Sequence, residues 1–206
     1  MKIIILIIIL FVSHSVYAQK AINSYKESLS VGVSTGFSTF SGNNFIAKSY
    51  NSNIPLTFYL QFPVYSNIGV GFLYQDSRSS LKSTEYVGNS SAGYFNRMGA
   101  FGCYYGKLGK RFLVMPTMGV GFLRLKNVLD NSLNLNNGSY RYKTNGTYYS
   151  VFTDLHYFLN KHVSVFTNVE YSYLDFSGVN ASTQNGVSYN SANFYGVQLG
   201  VKVWAR

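Results

Sequence analysis

The chain has one cysteine, three prolines and only seven acidic residues among 206. A lone Cys103 makes no internal disulfide, so the fold is not a disulfide scaffold, and inside an expected strand this thiol reads as a packing residue. Charged side chains make up 12% of the chain while Phe, Trp and Tyr make up 17%. A soluble domain carries about 25% charged residues, so this surface is not built for water alone. Metal ligands are equally scarce: His14 lies in the N-terminal leader, and His156, His162 and a distant Cys103 do not form a metal-ligand spacing. No Lys-Ser or Lys-Thr follows the Gly-x-Gly units in a strand-to-helix setting, which excludes a phosphate loop. No cofactor is expected.

The formal net charge is +10. A basic balance points to nucleic acid or an anionic surface. The cations (Lys48, Arg78, Lys82, Lys107, Lys110, Lys126, Arg141, Lys143, Lys161) are scattered through expected loops and turns, and no clustered stripe is expected. Attraction to anionic lipid head groups, lipopolysaccharide included, therefore replaces nucleic acid as the expected partner.

Lys2 precedes an unbroken apolar run at 3–12, and Val16, Tyr17 and Ala18 present the residues a signal peptidase reads. The run is about half of the ~20 residues a spanning helix needs. Residues 1–18 are thus expected to be a secretory signal, 19–28 a short polar lead-in and 29–206 a single domain. No Cys follows Ala18, so no lipid anchor is expected at the new N-terminus.

What the domain has in abundance is period-two alternation, repeated about eight times. In the segment 29–40, Leu29, Val31, Val33 and Phe37 share one face and Ser30, Gly32, Ser34, Gly36 and Ser38 the other. Similar segments fall at 54–64, 68–75, 94–105, 112–122, 149–159, 163–173 and 195–203. Pro116 implies a bulge or a lapse in the ladder, and the mixed faces of 94–105 leave the directions of Arg97 and Cys103 open. The connections alternate long and short, the rhythm of an outer-membrane barrel. The stretch 126–145 is the longest, with Tyr140, Tyr142 and an Asn145-Gly146 turn signal suggesting a hairpin above the membrane. Tyr74, Tyr94, Tyr104, Tyr105, Tyr173 and Tyr195 sit near strand ends, where interfacial girdles form. A soluble lipocalin-type barrel alternates as cleanly. The face opposite the apolar one, however, is rich in Gly, Ser and Thr rather than Lys and Glu. The expected architecture is all-β: a closed antiparallel up-and-down transmembrane barrel of about eight strands.

Units such as Val31-Gly32-Val33, Ile68-Gly69-Val70-Gly71-Phe72 and Met118-Gly119-Val120-Gly121-Phe122, behind a leader ending in Ala18-Gln19, resemble the small outer-membrane β-barrel proteins of Bacteroidetes. These are similar in plan to OmpX and the OmpA transmembrane domain. The resemblance implies an outer-membrane location and dependence on the barrel assembly machinery. Such chains usually end in an aromatic residue, whereas here Ala205 and Arg206 follow Trp204.

By parity, Asp154, His156, Asn168, Glu170, Gln198 and Lys202 project into the lumen from three neighbouring strands, with Glu170 expected near Gln198. Charges so confined must be paired or hydrogen-bonded, and a narrow barrel has room inside only for side chains. A polar plug is the expected arrangement and an ion path the alternative. His162-Val163-Ser164 superficially resembles the His-x-Ser of a lipid A deacylase, but His162 falls on a turn, Ser164 inside, and no carboxylate stands at the needed spacing. The expected role is non-enzymatic: an envelope protein whose Asn-, Ser- and Tyr-rich loops suit adaptable contacts with an extracellular ligand.

Overall fold

In the computed structural model, residues 29–83, 85, 87, 90–129, 141–176, 183–184 and 186–205 are described. The expected signal (1–18), the lead-in (19–28) and the segment 130–140 lie outside them. Eight long strands follow the up-and-down order: β1 (Ser30–Ser41), β2 (Ile54–Tyr65), β3 (Ile68–Ser80), β4 (Ser90–Tyr104), β6 (Phe112–Leu129), β7 (Arg141–Phe158), β8 (Val163–Asp175) and β11 (Ser191–Trp204). A short β5 (Gly106–Leu108) continues the line of β4 along β6. Outside the wall, β9 (Thr183–Gln184) and β10 (Val187–Ser188) pair as a small hairpin. Each long strand pairs antiparallel with its neighbours, and β1 pairs with β11 from Ser30↔Trp204 to Ser41↔Asn193, which closes the ring. An edge left open in hydrocarbon strands its N–H and C=O groups, and closure removes it.

The alternation sets which side faces out. Val31, Phe58, Val165 and Val201 all point outward, and the outer wall carries Phe37 at 72%, Phe122 at 71% and Leu199 at 66% exposure. An exposed apolar patch on a soluble monomer is a few hundred Å² at most. Here the greasy face continues around the whole barrel. Hydrocarbon is the solvent that suits it, so the barrel spans a membrane.

Several local expectations change. Strands β3 and β4 run further into the polar stretch 76–91 than alternation of apolar residues indicates, because Ser77 and Ser79 point inward and keep the pleat polar. Asn145-Gly146 is no turn: both residues lie within β7, opposite Arg124 and Leu123, and the β6–β7 ladder continues to Val128↔Arg141. Pro116 causes no register shift against β7. It marks a lapse on its other side, where pairing stops at Cys103↔Thr117 and resumes at Gly106↔Val114. Tyr105 belongs to no outer girdle, since it is buried and its hydroxyl accepts a hydrogen bond from Gln61 (2.7 Å). Tyr74, Tyr173 and Tyr195 do face outward.

The first long loop is not merely polar connection. Gly42, at φ 99°, turns the chain out of β1 in a conformation that favours glycine. Asn44 then caps the one-turn helix α1 (Phe45–Ser49), accepting from the Ala47 N–H (2.8 Å). Phe45 and Ile46 are buried: Phe45 stacks on Tyr189 and meets Phe176 edge-on, so α1 sits across the loop-end mouth. Tyr50 fastens its exit by donating to Asn127, and burial raises its phenol above the ordinary range.

Replacing Leu199, central in β11, by Arg is expected to cost ~2–4 kcal/mol of folding free energy in bilayers, and Ser80→Arg at the rim ~0–1 kcal/mol. Urea unfolding of barrels refolded in vesicles checks the contrast.

Candidate functional site

The lumen is where chemistry-bearing side chains converge, and it is less polar than the Gly, Ser and Thr pattern implies. Tyr59, Phe101, Phe152 and Phe166 meet at its centre with ring centroids 5.8–6.5 Å apart. Glycines on adjacent strands make their room. Phe101 lies opposite Gly71 and Phe166 opposite Gly200, and a Cβ on either glycine would come within 2.5 Å of the facing ring. A ring covering a bare backbone across the ladder fills the gap that a glycine leaves.

Above this aromatic layer, toward the loop end, Arg97 and Glu170 form a bidentate pair at 2.7 and 3.0 Å. Arg97 Nε also donates to Gln75 (2.7 Å), and its guanidinium lies 4.2 Å from the centroid of Phe194. The Ser172 hydroxyl accepts from Arg97 (3.0 Å) and donates to Glu170 (2.5 Å). The planar fork of arginine matches a carboxylate at two points, which is the geometry that offsets the several kcal/mol cost of taking each ion out of water.

Below the layer, Lys202 Nζ donates to Gln61 (3.0 Å) and lies 3.5 Å from Asp154 Oδ2. Asn168 donates to the other oxygen of Asp154 (2.6 Å). Lys202 is surrounded by the faces of Tyr59, Phe166 and Trp204 at 5.1–5.7 Å, where ring quadrupoles favour a cation. Gln198 belongs to neither charge cluster. Its carbonyl accepts from Ser34 (2.7 Å) and Thr57 (2.9 Å), and Thr57 in turn accepts from Gln75 (2.9 Å), so a polar thread runs from Gln198 to Arg97.

All six residues singled out by parity are buried and inward, but they divide: Glu170 above, Asp154, His156, Asn168 and Lys202 below, Gln198 between. Glu170 does not meet Gln198. It stands opposite Gly196, and its partner comes from the far wall. Arg97 is the residue that strand-by-strand reading missed, because both faces of β4 carry aromatic and small residues. A charge count could have found it. Two inward carboxylates need two inward cations, and Lys202 supplies one.

Ser164, His156 and Asp154 stand in the order hydroxyl, imidazole, carboxylate, with Ser164 Oγ 3.1 Å from His156 Nδ1 and His156 Nε2 3.7 Å from Asp154. They are sealed, at 0%, 0% and 1% exposure, and the Trp204 indole donates to the same serine hydroxyl (2.9 Å). His162 lies outside on the turn, where its Nδ1 is 3.3 Å from the Trp204 carbonyl. A nucleophile needs a base and a substrate within reach, and the Ser164 hydroxyl, beside its base, has no exposed surface.

No family model matches the sequence, and no curated protein matches it. Among solved structures the chain is similar to Neisserial surface protein A, at 13% identity over 85% of this chain and 95% of that one, TM-score 0.51. It is also similar to the outer membrane protein OprG from Pseudomonas aeruginosa, at 13% identity over 89% and 99% of the two chains, TM-score 0.52. The fold is that of a small outer-membrane β-barrel.

Arg97→Met leaves Glu170 buried without its cation and is expected to cost ~3–5 kcal/mol, most of it recovered in the double variant Arg97→Met/Glu170→Met. A double-mutant cycle by urea unfolding in bilayers reads both.

Proposed function

We propose that this chain is a non-enzymatic integral protein of the bacterial outer membrane, of the small Bacteroidetes type, which stiffens the envelope and presents its loops outward. The observation that carries this reading is the contrast between the two sides of one wall. Outside, the apolar belt suits acyl chains; inside, paired ions stand above and below a layer of interlocked rings that fills the centre, and α1 covers the loop-end mouth. A barrel filled in this way transmits rigidity rather than solute. On this reading residues 1–18 are the export signal, 19–28 the periplasmic lead-in and 29–206 the barrel, assembled by the barrel assembly machinery. The buried Ser164, His156 and Asp154 serve as packing and hydrogen-bonding groups, without metal or cofactor. Contacts with an extracellular ligand fall to the outer loops, and nucleic acid has no part.

The rival is a narrow ion channel, favoured by the polar thread from Gln198 to Arg97. In planar bilayers the native barrel is expected to show no unitary conductance, even after Glu170→Gln. Removing three rings of the central layer, in Tyr59→Ala/Phe101→Ala/Phe152→Ala, is expected to open one. Discrete openings from the native protein that disappear with Lys202→Met would replace this reading by the channel.

A further inference from the structure

Cations that lie far apart along the sequence meet on the outer wall. At the loop end, the ladders place Arg78, Tyr94, Lys126 and Lys143 side by side in one outward row on β3, β4, β6 and β7. Arg124 stands in the row beneath, between Asn96 and Asn145. Neighbouring strands are ~4.8 Å apart, so the upper row spans ~15 Å.

Lys126 directly faces Lys143 across the β6–β7 ladder. Like charges directly opposite destabilise a strand pair, and among the described residues no carboxylate pairs with either lysine. The carboxylate of the row beneath, Asp76, is taken by Asn96, and Asp175 lies a strand further on, beside Thr147. Arg78 covers the Tyr94 ring and Arg124 donates to Asn145 (3.3 Å), while none of the four cations has an ion pair among the described residues. A groove descends from Arg124 and Lys126 to Tyr74, Met98 and Phe122, where the apolar belt begins.

We propose that this face binds a phosphorylated, multiply acylated glycolipid of the outer leaflet. Its phosphates lie against Lys126, Lys143, Arg124 and Arg78, and its acyl chains run down over Met98 and Phe122. Cations on three strands across ~15 Å match a head group bearing two separated phosphates better than the single phosphate of a glycerophospholipid. An anion between Lys126 and Lys143 turns their repulsion into a shared attraction. The proposal rests on the outer-membrane reading, because only there does such a lipid form the leaflet.

The test is native mass spectrometry of the folded barrel in neutral detergent, titrated separately with bisphosphorylated lipid A, its dephosphorylated form and phosphatidylglycerol. Bisphosphorylated lipid A is expected to bind at least ~10-fold more tightly than the other two, and Lys126→Gln/Lys143→Gln to abolish that preference. Lys143→Glu is expected to lose the lipid and also to raise the thermal unfolding temperature in lipid-free detergent, since it gives Lys126 an opposite charge. Equal binding of the three lipids, or an unchanged preference in the double variant, overturns the proposal. Heat-modifiable gel mobility reports folding independently. A chain that never folds in detergent defeats the outer-membrane reading itself, whereas a folded barrel indifferent to phosphate defeats only this inference.

Discussion

A peptide group in hydrocarbon has no water to bond, and every other feature of this protein follows from that. Each N–H and C=O of the spanning strands must find its partner in a neighbouring strand, so the last strand must return to the first. The β1–β11 ladder, unbroken from Ser30↔Trp204 to Ser41↔Asn193, is that return. Closing the ring with eight strands leaves an interior about as wide as two opposed side chains. The outer side chains are then chosen for lipid and the inner ones for packing against each other.

The interior solves two packing problems together. Bulk is supplied by rings, and the rings fit because glycines stand opposite them, as Gly71 does to Phe101 and Gly200 to Phe166. Polarity is handled by giving each buried ion several partners: a two-point carboxylate and a serine for Arg97, a carboxylate, an amide and three aromatic faces for Lys202. The aromatic layer separates the two clusters, so neither charge pair competes for the other's partner. The end of the chain is used in the same way. Trp204 turns its ring into the lumen, donates to Ser164 and packs on His156 and Phe158.

The architecture was legible in the residues because alternation is a local signal and lipid-facing strands carry it in every turn of the pleat. Val31, Val33 and Phe37 announce their side without reference to any other strand. The inward set was legible by the same parity, down to Asp154, His156, Asn168, Glu170, Gln198 and Lys202. What could not be read was pairing across the lumen, since Glu170 and Arg97 stand 73 residues apart. The identity of the bulk filler was obscured by β4, whose outward Ala100 and Gly102 and inward Phe101 and Arg97 reverse the usual contrast. The helix α1 was hidden too. Five residues in a polar stretch show no periodicity, and only the buried faces of Phe45 and Ile46 explain why they fold over the mouth. The basic residues looked scattered for the same reason: Arg78, Lys126 and Lys143 become neighbours only through register.

Structure and proposed role meet in the direction the side chains face. The most direct measurement is a spin-label scan along β1, one cysteine at a time from 31 to 40, in a Cys103→Ser background reconstituted in bilayers. Collision with dissolved oxygen is expected to rise at positions 31, 33, 35, 37 and 39 and fall at the positions between, with a polar nickel reagent excluded from both sets. Oxygen maxima at 32, 34 and 38, or free access of the nickel reagent along the even positions, would contradict a lipid-facing belt around a sealed interior.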